Sequence, residues 1–177
     1  MLCAMAEPES RTETSPAGSD DTVSRIRVGD RAPDVTLVDP AGATVRLADL
    51  IGGKVIVLYF YPRDETTGCT IEACAFRDAY QDFVDAGAEV IGVSRDDGES
   101  HRRFASAHRL PFRLLSDVDG SAHRRFGVKQ RLGGLVRDRI SFVIDRAGVV
   151  RMVFDSMLRF QAHVGKALEV VRTLAVD

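Results

Sequence analysis

Between Lys54 and Tyr61 the chain reads KVIVLYFY, a nearly unbroken run of β-branched and aromatic residues. No polar alternation marks a wet face, so the run predicts a central strand covered on both sides. Glu89–Ser94 (EVIGVS) repeats the pattern and predicts a second buried strand. Between the two the period changes. Phe76, Tyr80, Phe83 and Val84 recur at spacings of three and four, predicting one helix from about Thr70 to Ala86 with Gly87 as its stop.

Upstream, Val35–Val38 and Ala43–Val45 flank the turn-forming DPAG and predict a small hairpin. Downstream come a helix over Gly98–His108, a short strand over Phe112–Leu115, a short helix over Ser121–Phe126 and a Gly- and Arg-rich loop to about Asp138. Arg139–Ile144 and Val149–Phe154 predict a hairpin turned by DRAG, and Phe160–Val176 an amphipathic closing helix. A βαβ crossover followed by an antiparallel pair and a helix predicts an α/β domain. It has a central mixed β-sheet flanked by helices and an N-terminal hairpin, the thioredoxin-like arrangement.

Composition changes this picture at the ends. The first residues are rich in Glu, Ser, Thr, Pro and Gly and nearly free of bulky apolar side chains. They bury too little to offset the entropy of ordering, so residues 1–25 are expected to form a disordered tail and residues 26–177 one domain. Hydrophobic residues make up 45% and charged residues 28% of the 177, ordinary values for a soluble globular chain. The formal net charge of −2 gives no pull toward nucleic acid or anionic membrane. The basic stretch Arg124, Arg125, Lys129, Arg131, Arg137 reads as a solvated face, since only Phe126 could act as an aromatic platform. No apolar run reaches the roughly eighteen residues of a membrane span, and MLCAMAEPES lacks the features of a signal peptide. A cytoplasmic location is expected. His101, His108, His123 and His163 are scattered and read as surface groups; Glu72 reads as a helix-start charge, and Tyr59 and Tyr61 as core or pocket wall.

The chemistry concentrates in PRDETTGCTIEAC. Cys69 falls just after the central strand, at or near the first turn of the following helix. Unpaired N–H groups and the positive end of the helix macrodipole favour a thiolate there, and the thiolate is the nucleophile. Cys74 lies five residues on, in the same helix. That spacing gives a rise of about 7.5 Å and a Cα separation of roughly 8 to 9 Å. A disulfide needs Cα atoms within about 7 Å, so the two could bond only if the first turns unwind. Both could equally be inert packing cysteines. A zinc site is disfavoured, because neither a second cysteine pair nor a nearby histidine completes four ligands. Cys3 sits in the tail as an unpaired bystander.

Pro62, Thr66 and Cys69 meet a Pro-x3-Thr-x2-Cys pattern, and with EACAFRD, GAEVIGVS, LPFRLLSD and RISFVID they resemble the peroxiredoxins. The Cys69–Cys74 spacing is similar to the bacterioferritin comigratory protein, or peroxiredoxin Q, group, and the likeness spans roughly Val28 to Leu174. The resemblance implies a thiol peroxidase that reduces hydrogen peroxide and organic hydroperoxides. Cys69 would be the peroxidatic cysteine and pass through a sulfenic acid. Thr66 would hydrogen-bond sulfur and peroxide, and Arg139 would favour the thiolate and stabilise charge as the O–O bond breaks. Pro62 would shield the sulfur, and Cys74 would resolve the sulfenic acid as an intramolecular disulfide. Thioredoxin or a similar dithiol would then restore both thiols. No metal, haem or flavin is needed, and a monomer or at most a weak homodimer is expected. Ser141 departs from the group's more usual Thr, and the loop Val128–Asp138 is the least family-like stretch. Two other classes stay open: a disulfide oxidoreductase, which would prefer the absent C-x-x-C, and a redox sensor without turnover.

Overall fold

In a computed structural model of the chain, residues 25–131 and 136–175 are described. The expected tail, with Cys3, lies outside them except for Arg25, which forms an ion pair with Asp155.

The apolar run becomes β3 (Val55–Phe60), every residue of which is buried. Parallel to it lies β4 (Ala88–Ser94), and antiparallel to it β8 (Ile140–Ile144). With β1 (Thr36–Val38), β2 (Thr44–Arg46), β5 (Arg113–Ser116) and β9 (Val150–Asp155) they form a seven-stranded mixed sheet of order β2-β1-β5-β4-β3-β8-β9.

Alternation along β3 sends its side chains to two cores. Val55, Val57 and Tyr59 join Phe76, Phe83, Phe104, Val164 and Val171 beneath four helices: α2 (Thr67–Asp78), α3 (Tyr80–Asp85), α4 (Gly98–His108) and α6 (Phe160–Leu174). Ile56, Leu58 and Phe60 join Leu47 of α1 (Leu47–Leu50) and Ala122 of α5 (Ser121–Arg125) on the other face. Both faces being covered is why the run carries no polar alternation.

The structure departs from the sequence expectations in three places. The single helix expected over residues 70–86 is two, α2 and α3, joined at Ala79, where the backbone turns at φ −95° and ψ 5°. The break leaves Phe76 and Phe83 fully buried, while Val84 is exposed. The Gly- and Arg-rich loop contains a two-stranded ribbon, β6 (Gln130–Arg131) with β7 (Val136–Arg137). Finally, His101, His123 and His163 are buried rather than superficial, and only His108 is half-exposed. Each buried ring packs as an aromatic body while a fixed partner takes its polar edge. His101 Nδ1 donates to Asp64 at 2.8 Å and His123 Nδ1 to Asp117 at 2.5 Å. Burial pushes both aspartates up, but these bonds, with those from Tyr61 and Ser100 to Asp64 and from the Ala122 and His123 backbone to Asp117, together outweigh it and hold them below the usual carboxylate range.

Sheet register brings the chemistry-bearing segments together. Phe60, the last residue of β3, pairs with Ile140, the first of β8, and Ile140 also pairs with Asp155 of β9. The loop leading to Cys69, the position of Arg139 and the start of α6 therefore meet at one end of the sheet.

Candidate active site

Cys69 stands three residues into α2, whose N-cap is Thr66. The loop that delivers it is fixed from below. Asp64 is buried and accepts from Tyr61 Oη at 2.6 Å, Ser100 Oγ at 2.8 Å and His101. Asp64 N–H in turn donates to Asp96 at 2.9 Å. Glu65 then turns the chain with φ 59°, a left-handed conformation uncommon for a non-glycine residue. A tightly held loop gives the helix start one position, and the first-turn N–H groups and helix dipole act there.

The sulfur of Cys69 is almost wholly buried. Arg139, also buried, donates from Nη2 to Cys69 Sγ at 3.2 Å and from Nη1 to Glu72 Oε2. One planar fork thus serves two acceptors on the same helix face, three residues apart. Burial pushes the guanidinium toward neutrality, but the charges of Glu72 and Cys69 outweigh it and hold its pKa above the ordinary value. The ring of Phe160, half-buried at the start of α6, lies 4.8 Å from the Arg139 guanidinium carbon. A side chain at Gly68 would meet that ring at 2.8 Å and Arg139 Nη2 at 3.3 Å, so the glycine makes room for the lid-like contact.

Glu72 is not a helix-start charge facing water, as the sequence suggested, but fully buried. Burial pushes its carboxyl up to about 7 against the pull of Arg139. Its Oε1 has no hydrogen-bond partner and lies 3.6 Å from His163 Nδ1. His163 Nε2 donates to the Ser156 carbonyl and Nδ1 faces Ser141 Oγ, each at 2.8 Å. Burial drives His163 down to about 4; the Ser156 bond opposes this and the Arg139 charge adds to it.

The remaining sequence candidates are placed less centrally. Thr66 is exposed, and its hydroxyl donates to the Arg63 carbonyl at 3.1 Å, so its proton is committed away from the sulfur. Pro62 is half-buried and lines a surface depression with Arg63, Arg95 and Asp96. Cys74 is half-buried in the wound helix, on the wall of a groove between α2 and α6 formed with Thr70, Ile71, Gln161 and Val164. Cys69 and Cys74 are both free thiols. Among the described residues no cluster of His, Cys, Asp and Glu could hold a metal ion. No helix there is long and apolar enough to cross a membrane. For Glu72 the sequence offered only its place three residues after Cys69, with no sign of its burial against Arg139. Nothing in the local pattern marked His163, and Ser141 stood out only as a departure from a more usual Thr.

A buried cysteine at a helix N-terminus, held by an arginine on a mixed α/β sheet, defines a thiol-based oxidoreductase. The chain belongs to the AhpC/TSA family, whose pattern matches residues 28–153, and it groups there with peroxiredoxin Q and bacterioferritin comigratory protein relatives. The chloroplastic peroxiredoxin Q of Triticum aestivum is 44% identical over 150 residues, 85% of this chain and 69% of its own length. Peroxidoxin BcpB of Mycobacterium tuberculosis superposes with a TM-score of 0.79 at 38% identity, over 85% of this chain and 99% of its own. The bacterioferritin comigratory protein of Xanthomonas campestris, studied for alkyl peroxide reduction, gives a TM-score of 0.72 at 30% identity, over 80% and 92%. The fold is the thioredoxin-like one of these peroxiredoxins, and the chain is a peroxidase.

Proposed function

We propose that Cys69 reduces hydroperoxides, alkyl hydroperoxides included, and that Cys74 closes the cycle. The thiolate attacks the terminal peroxide oxygen. The S–O bond forms as the O–O bond breaks, and the departing alkoxide takes a proton to leave as an alcohol. Cys74 then displaces hydroxide from the sulfenic acid, giving a disulfide and water, and a thioredoxin-like dithiol reduces that disulfide by exchange. The observation that carries this reading is the Arg139 Nη2 to Cys69 Sγ bond at 3.2 Å in the first turn of α2. It aims a fixed positive charge at the atom whose charge changes in the reaction.

The resolving step requires motion. Both cysteines lie within α2, so their meeting demands that the helix open between Thr67 and Cys74. The Asp64 anchor bounds this opening on the N-terminal side, and Phe76 and Phe83, fully buried in the core, bound it on the other. The test is peroxide-dependent NADPH oxidation with thioredoxin and its reductase. Cys69→Ser should abolish turnover, and Cys74→Ser should retain one oxidation event but lose turnover. Full activity of Cys69→Ser would remove the assignment.

A further inference from the structure

We propose that His163 is a positioning residue: by holding the Glu72 carboxyl as a proton donor, it decides how much of the Arg139 charge reaches Cys69. The proposal rests on Cys69 being the reactive sulfur. Two acidic groups, Glu72 and the Cys69 thiol, contact one guanidinium in a buried space. Ionising both leaves two anions sharing one cation, so the site favours a single anion and one retained proton.

His163 biases where that proton sits. Its Nε2–H is committed to the Ser156 carbonyl, which fixes the tautomer and leaves a lone pair on Nδ1. That lone pair accepts from the Ser141 hydroxyl at 2.8 Å and lies 3.6 Å from Glu72 Oε1, so Ser141 and a protonated Glu72 compete for it. With Glu72 ionised, two acceptors are opposed and Oε1 is stranded without a donor. With Glu72 protonated, Oε1–H can donate to Nδ1 after a small closure in which the Ser141 hydroxyl rotates its own proton away from that nitrogen. The acceptor therefore stabilises neutral Glu72, and neutral Glu72 leaves Arg139 to the sulfur.

The surrounding charges support this order of events. Glu72 is raised to about 7 and His163 lowered to about 4, so the proton resides on Glu72 before the imidazole becomes charged. From β3, Tyr59 faces the pair; burial first, and then the charges of Glu72, Cys69 and Asp64, push its phenol up and keep it neutral. Arg139 comes from the residue just before β8, and the opposing charges of Asp155 at the end of β9 and Arg159 at the entry to α6 act on His163.

The test measures iodoacetamide alkylation of Cys69 across pH in a Cys3→Ser, Cys74→Ser background, which reads thiolate whether or not the protein turns over peroxide. His163→Phe should slow alkylation about tenfold near pH 6 and by a clearly smaller factor near pH 9, because rising pH favours the thiolate in both proteins. In a Glu72→Gln background the same His163→Phe change should have less than about a twofold effect at either pH, because the proton it governs is gone. Equal losses in both backgrounds, or a loss independent of pH, would overturn the proposal. Should His163→Phe not fold, ¹⁵N spectra of the native protein decide. The Nδ1 resonance of a neutral His163 should move with a midpoint near the value of about 7 given for Glu72, and a flat response would overturn the proposal equally. Failure here with an inactive Cys69→Ser would leave the peroxidase assignment standing.

Discussion

Replacing Arg139 separates what its charge does from what its shape does. The guanidinium is the cation bonded to both Cys69 and Glu72, with Nη2 at 3.2 Å from the sulfur. A unit charge pair about 4 Å apart at an effective dielectric near 20 interacts with about 4 kcal/mol. Glu72 shares the same cation, so only part of this acts on the sulfur, and Arg139→Leu should cost about 10²- to 10³-fold in the rate of peroxide reduction. Breaking a buried ion pair ordinarily destabilises by about 3–5 kcal/mol through the stranded partner. Here the stranded partner can neutralise, because Glu72 already titrates at about 7 with Arg139 in place. The variant should therefore fold, with the loss at or below the lower end of that range near neutral pH. Arg139→Lys keeps the charge but offers one nitrogen in place of a fork, so it cannot hold Glu72 and Cys69 together and should recover only part of the rate. The assay is the bimolecular rate with hydrogen peroxide in a single turnover, measured near pH 7 and again near pH 9. A deficit that narrows at the higher pH reports lost thiolate, and one that persists reports lost stabilisation of the reacting centre. An Arg139→Leu rate within about threefold of the native one at both pH values would refute the electrostatic argument.

Two other outcomes follow from the same geometry. Gly68→Ala would place a methyl 2.8 Å from the Phe160 ring and 3.3 Å from Arg139 Nη2. The ring is the free end of a side chain and can swing, so thermal unfolding should change little while the peroxide rate falls about tenfold through the displaced arginine. Glu72 makes stability depend on pH with a definite sign. Its folded value of about 7 lies above its ordinary 4.5, so its contribution is present below about pH 4.5 and lost as pH rises through 7. The native protein should thus gain about 3 kcal/mol relative to Glu72→Gln in urea unfolding as pH is lowered across that window. A constant difference between the two would show that Glu72 does not titrate as placed.

The sheet and the position of Cys69 were legible in the sequence, because each rests on local pattern. KVIVLYFY needs two covered faces, and β3 has them. Cys69 follows that strand at a helix start, where the structure also puts it. What escaped the sequence was pairing across long separations. Glu72 looked like a solvated helix-start charge because nothing nearby reveals that Arg139, 67 residues away, covers it. His101, His123 and His163 looked superficial because imidazoles are commonly exposed. His101 and His163 find distant partners, Asp64 and Ser141, while His123 bonds locally to Asp117 and His163 also to Ser156, contacts the sequence pattern did not mark. The helix break at Ala79 escaped for a related reason, since Phe76 and Phe83 hold the same period on either side of it.

A nucleophile and its resolving partner share one helix that must open for them to meet. Cys69 and Cys74 fall within a single tryptic peptide, Asp64–Arg77, and α2 spans Thr67–Asp78. The decisive measurement is hydrogen exchange of the reduced protein and of the protein given one equivalent of hydrogen peroxide, with the mass of that peptide read in parallel. The peptide should lose two hydrogens, and amide protection between Cys69 and Cys74 should be lost while β3 stays protected. A stable oxygen adduct with no internal bond, or an internal bond with the helix still protected, would contradict this.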